Sequence, residues 1–376
     1  MTLALAFVAV FASLLMPALY SGAILVQAGF LISYRGIRVS PKLPDGSGSI
    51  LMLFLVFAGL AVLGPILSYG VGWGNLDALK FLFATASLAI GLMLGVEKDD
   101  LSRAIPIFLG VMTAIYAGLY FTDAQLSQEA LLYPPDNNHS ASMLAVFLPL
   151  IVMRMKRGVR LFCFALLFAF AIFVASRSLL ALTLIASALS FEKVRKQRFL
   201  IMVTVALALA VLFLRTFSLD NFSDRLRLQI IEVSLHFVQT RGAYAFNFGE
   251  AAFADFLNIY PIYQRLEIQH AHNLLLQVWA AYGYVPLFAF ILFLTAFGTL
   301  GWRQRNYLFL FSFMIFLAIG MMEAIITDIR AFGTIMFALG YTYSRGTQFG
   351  TADIETSVPE IDDGMKFHAS AAPDRR

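Results

Sequence analysis

The sequence predicts an all-α fold: a polytopic membrane protein of transmembrane helices with one large loop outside the membrane. Three observations carry this reading. Hydrophobic residues make up 60% of the 376 and charged residues only 13%, with a mean hydropathy of +0.79. A soluble domain of this length would lack the charge to cover its surface. Apolar runs of about 17–25 residues, each enough to cross roughly 30 Å of hydrocarbon as a helix, recur along almost the whole chain. The runs lack the two-residue alternation of a barrel strand, which leaves helices as the way to satisfy every backbone group in lipid.

In chain order the predicted crossings are 3–33, 49–70, 76–96, 104–121, 139–153, 159–176, 178–191, 199–214, 275–301, 306–322 and 331–344. The first is too long for one simple crossing and Pro17 interrupts it. It counts as one kinked helix or two short ones, for a total of about 11 or 12 crossings. No basic residue precedes its apolar core and another span follows, so it does not read as a cleavable signal peptide. The predicted domain plan is a transmembrane helical domain over 1–344, with its external loop at about 215–274. A cytoplasmic tail over 345–376, rich in Ser, Thr, Asp, Glu and Pro, is predicted to be disordered. The single cysteine, Cys163, lies in an apolar run and has no partner for an intrachain disulfide.

Lysine and arginine placement sets the orientation. Alternate crossings put five basic gaps on one face. They hold Arg35, Arg38 and Lys42; Lys98 and Arg103; Arg154, Lys156, Arg157 and Arg160; Lys193, Arg195, Lys196 and Arg198; and Arg303 with Arg305. That face is predicted to be cytoplasmic. The gaps of the other face contain no lysine, and their basic residues are Arg177, Arg215, Arg225, Arg227, Arg241, Arg265 and Arg330. Arginine presents a planar, permanently charged fork that matches phosphate oxygens two at a time. Arginines placed against the positive-inside trend ask for an anionic partner outside, and a lipid-linked diphosphate is one candidate. The bland alternative is pairing within the loop to Asp220, Asp224, Glu250, Asp255 or Glu267. Arg177 differs from the others: it sits in the tight turn Ser176-Arg177-Ser178 between two apolar helices with no acidic residue nearby, where an ionisable group is costly and reads as functional.

His270, His272 and Asn273 stand where the long loop runs back into a hydrophobic helix, in Gln269-His270-Ala271-His272-Asn273-Leu274. The bland reading of a histidine there is a helix cap. The functional one is an acid–base group, because an imidazole titrates near neutral pH. His270 lies two residues from His272, which on a helix is another face. No Cys/His cluster or Asp-x-Asp pair in the sequence points to a metal on the external face. No Gly-rich loop points to nucleotide phosphate. Neither a metal, a cofactor nor a nucleic-acid partner is expected.

These stretches together resemble the O-antigen ligase and O-antigen polymerase family of bacterial membrane glycosyltransferases, whose helical architecture is GT-C-like. The resemblance rests on Pro135-Asp136-Asn137-Asn138-His139 leading into Ser140–Leu150; on Ala175-Ser176-Arg177-Ser178-Leu179; on Asp224-Arg225-Leu226-Arg227; and on Ala271-His272-Asn273-Leu274 with Gly283 beyond. It covers about residues 130–300. Arg241-Gly242-Ala243-Tyr244 and Phe248-Gly249-Glu250 depart from it, standing where the family usually has a proline and paired glycines.

The resemblance implies metal-independent, inverting transfer of an oligosaccharide from a polyprenyl-diphosphate carrier to an acceptor hydroxyl. The acceptor would be a glycan or a lipid A core, at the outer face of the bacterial inner membrane. It implies His272 as the catalytic residue, Arg177 and Arg225 as ligands of the diphosphate, and Asn273, His270 and Arg227 in support. The expected partners are the lipid-linked donor, the acceptor, the bilayer and other envelope polysaccharide-assembly proteins. A polysaccharide or lipid transporter of the flippase kind is the alternative, suggested by the intramembrane charges Lys80, Glu323 and Asp328. A non-catalytic scaffold of an envelope-assembly complex is the third class.

Overall fold

The computed structural model describes residues 43–69, 75–96, 104–122, 137–190, 222–241, 245–265, 270–321 and 323–355, together with Ala23, Ile24 and Val26. Among them there are helices and no strand. In chain order they are α1 (Ser47–Tyr69), α2 (Asn75–Val96), α3 (Ile105–Thr122), α4 (Asn137–Ala145), α5 (Leu148–Arg154), α6 (Arg157–Phe173) and α7 (Arg177–Leu189). There follow α8 (Phe222–Arg241), α9 (Glu250–Leu257), α10 (Pro261–Arg265), α11 (Leu274–Tyr282), α12 (Tyr284–Arg303), α13 (Tyr307–Gly320) and α14 (Ile329–Glu355). Two stretches, Ser47–Leu67 and Tyr284–Arg303, are long and apolar enough to cross a membrane, and Lys80–Gly95, Ile105–Phe121, Arg177–Ala188 and Tyr307–Gly320 are shorter apolar helices. The predicted span 199–214 and nearly all of 3–33 lie outside the described residues.

Two predicted spans are each split in the structure. Span 139–153 becomes α4 and α5 with a turn at Val146-Phe147. Pro149 explains the break, since it has no N–H for the carbonyl one turn back and its ring clashes there. Span 275–301 becomes α11 and α12, separated at Gly283 with φ +100° and ψ 177°, a conformation L side chains rarely adopt. The break would strand the last carbonyls of α11. An extended strap, residues 245–249, takes them up: Asn247 N–H donates to Tyr282 O (2.9 Å) and Gly249 N–H to Ala281 O (2.8 Å). The Asn247 side-chain amide donates to Trp279 O (3.2 Å) and Ala280 O (2.9 Å). The exchange is mutual, because Val285 N–H past the break donates to Ala245 O (3.2 Å).

The core is aromatic. Phe54 and Phe57 of α1 pack on Phe293 and Phe290 of α12 at ring separations of 4.9 and 4.6 Å. Phe297 continues the stack to Phe309 of α13 at 4.4 Å and to Tyr343 of α14 at 5.4 Å. α2 and α14 meet differently, through small residues. A side chain at Gly340 would meet Leu88 O at 2.5 Å, and one at Gly95 would meet Tyr341 O at 2.6 Å, so these backbones touch where glycine leaves room, as helices packed without bulky side chains do.

The predicted external loop at 215–274 is largely helical where it is described. α8 places Ile230, Ser234, Phe237 and Val238 on one buried stripe, the spacing of an amphipathic helix. Ile230, Phe237 and Val238 form a second hydrophobic cluster with Phe253, Leu257, Ala271, Leu276 and Ala280, so α8, α9 and α11 build a small cap with its own core. The cap is tied to α2 by Lys80, whose ammonium lies 2.6 Å from Glu250 of α9 and donates to the Tyr282 hydroxyl at 3.1 Å. At the other end, α14 runs through the boundary predicted at 345 and ends at Glu355. Nothing from Arg345 to Glu355 forbids helix, and the first proline beyond is Pro359. Residues 356–376 lie outside the described residues.

Candidate functional site

The site begins with the way α11 starts. Asn273 is the N-cap: its side-chain oxygen accepts from Leu276 N–H at 3.0 Å, and its amide donates to Met321 O at 3.2 Å. Two residues upstream, Ala271 N–H donates to the Gln277 side-chain oxygen at 2.8 Å. His272 lies between these two fixed points with φ +51°. A left-handed conformation is uncommon for a residue with a side chain and persists only where the surroundings impose it. The capping role therefore falls to Asn273, and the imidazole of His272 is left to act elsewhere. Asn273 does position the site, through the backbone it pins.

That kink turns the His272 ring toward Glu323. Nδ1 lies 3.3 Å from Glu323 Oε2, at the long end of a hydrogen bond. The other carboxylate oxygen accepts from Arg227 Nη2 at 3.2 Å. Glu323 is 7% exposed and follows the C-terminal end of α13, where the helix dipole disfavours an anion. Its charge is matched by Arg227 from α8, and His272 from the turn before α11 faces it as a hydrogen-bond partner. An ionised carboxylate only accepts, so a proton on Nδ1 points at Glu323 and Nε2 is left as the basic nitrogen.

His270 does not sit on a separate face from His272. The helix starts only at Leu274, so the reasoning from helical spacing does not apply, and the two rings approach to 4.5 Å. His139 joins from α4, 5% exposed, with its ring 6.2 Å from that of His270. One ring nitrogen from each of His270 and His272 and one oxygen of Glu323 lie within 4.8 Å of one another. The sequence alone gave no sign of this grouping of metal-capable atoms, because its third member stands 51 residues beyond His272.

Glu323 also lines a small cleft with Asn138, Ser142, Ser176, Ser178 and Ile319. The cleft links the cluster to the Ser-Arg-Ser turn. Ser176 is the N-cap of α7, accepting from Leu179 N–H at 3.3 Å. Arg177 is therefore the first helical residue, and its side chain is exposed. A cation at the positive end of a helix dipole does nothing for the helix. What it gains there is a set of N–H groups that favour the same anion it does.

The remaining arginines separate. Arg225 and Arg227 are two apart on α8 and so lie about 200° apart around it. Arg227 reaches Glu323, whereas Arg225 is exposed. Arg330 is buried and grips Asp328 with Nη2 at 2.8 Å, while Asp328 also accepts from the Arg330 and Ala331 N–H groups at 2.7 and 3.2 Å. That pair is the cap of α14. Arg227 and Arg330 thus do have acidic partners, though not the acidic residues of the loop. Arg215 and the side chains of Arg241 and Arg265 lie outside the described residues.

Glu323 is the member that sequence reasoning missed at this site. Its signal was an acidic residue in the short gap between two apolar runs, noticed only as an intramembrane charge. No protein-family model matches the chain, and no curated protein matches it.

Proposed function

We propose that the chain is a polytopic membrane glycosyltransferase with a GT-C-like arrangement of spans. It moves an oligosaccharide from a polyprenyl-diphosphate carrier to an acceptor hydroxyl at the outer face of the bacterial inner membrane. The acceptor is the growing glycan of a polymerase or the lipid A core of a ligase. The observation that carries this reading is that Glu323, which faces both His272 and Arg227, also lines a cleft with Ser176 and Ser178, the two neighbours of Arg177.

In this reading His272 Nε2 takes the proton of the acceptor hydroxyl while the acceptor oxygen bonds to the anomeric carbon. The bond from that carbon to the diphosphate oxygen breaks from the opposite side, which inverts the centre. The departing lipid diphosphate leaves as an anion, opposite Arg177 with Arg225 as the second cation. Glu323 fixes the imidazole, Arg227 fixes Glu323, and His270 flanks the ring. Purified protein in liposomes, given a lipid-linked oligosaccharide and an acceptor, should release the lipid diphosphate and lengthen the acceptor. No release with any lipid-linked donor would remove the reading. The transporter alternative rests on Lys80, Glu323 and Asp328, each of which has an ion-pair partner, and the release assay separates it from transfer.

Two tests bear on parts of this proposal. A topology reporter placed near Asp255 in α9 should report the non-cytoplasmic side, and one placed at the C-terminus the cytoplasm. The same side for both would mean an even number of crossings between them, and a cytoplasmic report at Asp255 would take the cap away from the donor. In the second test, Arg177→Lys should lose about 10-fold or more of transfer at normal protein level, since a point charge cannot grip two phosphate oxygens together. A fully active lysine variant would reduce Arg177 to a general positive charge.

A further inference from the structure

We infer that His270, His272 and Glu323 form a binding site for a divalent transition metal of the zinc class. Two imidazoles and one carboxylate are a donor set that zinc takes in three-ligand sites with an open fourth position. Their ligand atoms already lie within 4.8 Å of one another. Tetrahedral zinc, with ligands at about 2.0–2.1 Å, holds them roughly 3.4 Å apart, so the three need to close by somewhat over 1 Å. In this proposal rotation of the His270 side chain toward the fixed Glu323 supplies that movement.

Three features make the site more than a chance cluster. The left-handed backbone at His272 brings two histidines spaced by one residue to the same side. Glu323 is buried and fixed from behind, with Oε1 on Arg227 while Oε2 faces His272. Glu323 also lines the cleft beside Asn138, Ser142 and Ser176, the side from which a fourth ligand enters in this proposal. Imidazole donors select zinc, copper or nickel over magnesium and calcium.

Arg227 opposes the metal. Its guanidinium sits 3.2 Å from the carboxylate a cation would need, so the site is tuned to bind metal reversibly. Metal binding rests on this geometry alone. Its consequence rests on the transfer reading: a metal on His272 occupies a nitrogen lone pair needed for proton transfer, so zinc inhibits.

The test uses the full chain, purified in detergent, stripped with chelator and titrated with zinc sulfate against a chromophoric competitor. One zinc per chain is expected, and His270→Asn and Glu323→Gln should each weaken it about 10-fold or more, since even outer-shell changes reach that size. Arg227→Gln should tighten binding about threefold or more, because it removes the competing cation. A misfolded variant would not produce that gain. Cobalt in the wild-type protein should give a d–d absorption band that is lost in His270→Asn. The same zinc affinity in wild type, His270→Asn and Glu323→Gln, or no cobalt band, overturns the site. No donor is present in these titrations, so their failure is separate from a failure of transfer.

Discussion

His272→Ala is expected to lower transfer about 100-fold or more, the range associated with a lost acid–base group, while donor binding is largely kept. The separation matters because the arginines and the imidazole serve different parts of the reaction. Arg177 stands at the start of α7 and His272 just before α11, on separate elements. Glu323→Gln is the companion variant. It keeps the shape and loses the charge, so Nδ1 no longer faces a charged acceptor, and the expected loss is about 10-fold, with the pH–rate profile of transfer displaced. Transfer by purified variants in liposomes, with donor binding measured alongside, decides both. Near-normal transfer by His272→Ala would assign the strained turn to structure alone. An unshifted pH profile in Glu323→Gln would show that the carboxylate does not act through the imidazole.

The second large effect concerns the cap. Glu250→Gln should destabilise the protein by about 3 kcal/mol, because it leaves the Lys80 ammonium, 6% exposed, without its counter-charge. Lys80→Met should cost less, since the carboxylate it strands is 20% exposed. The double variant Lys80→Met with Glu250→Leu should recover most of the loss, as apolar replacements of buried pairs often do. Thermal midpoints in detergent, with protease sensitivity of α8 and α9, measure this. If Glu250→Gln melts with the wild type, the ion pair does not hold the cap to α2.

The helical character was legible because apolar runs leave few other solutions. Pro149 and Gly283 also stood in view, each inside a run read as a single span; what they do becomes plain only with the backbone beside them. The strap at 245–249 is what makes the Gly283 break affordable, and nothing in its sequence announces that its N–H groups end on α11. The cap was read as a loop because it is less apolar than its neighbours, although Ile230, Phe237 and Val238 already carried a helical stripe. At the site, His270 and His272 were legible by residue type and place. Glu323 was not, because its contribution comes from a tertiary approach between α13 and the turn before α11. The arginines were visible as a class, but which of them faces an acid is fixed by helix rotation that charge counting cannot supply.

The glycine contact between α2 and α14 has a consequence for how the chain is made. Gly91 and Gly95 leave the ribosome well before the helix that fits against them, since Gly340 lies about 245 residues beyond Gly95. At ordinary elongation rates the interval is on the order of 10–50 s. During that time α2 has no mate of its own chain for the face that Gly340 later meets. This contact of the bundle is therefore closed only when α14 arrives, long after its partner helix has been made. A message cut short within α14 yields a protein whose early helices are all present and whose assembly has never been completed.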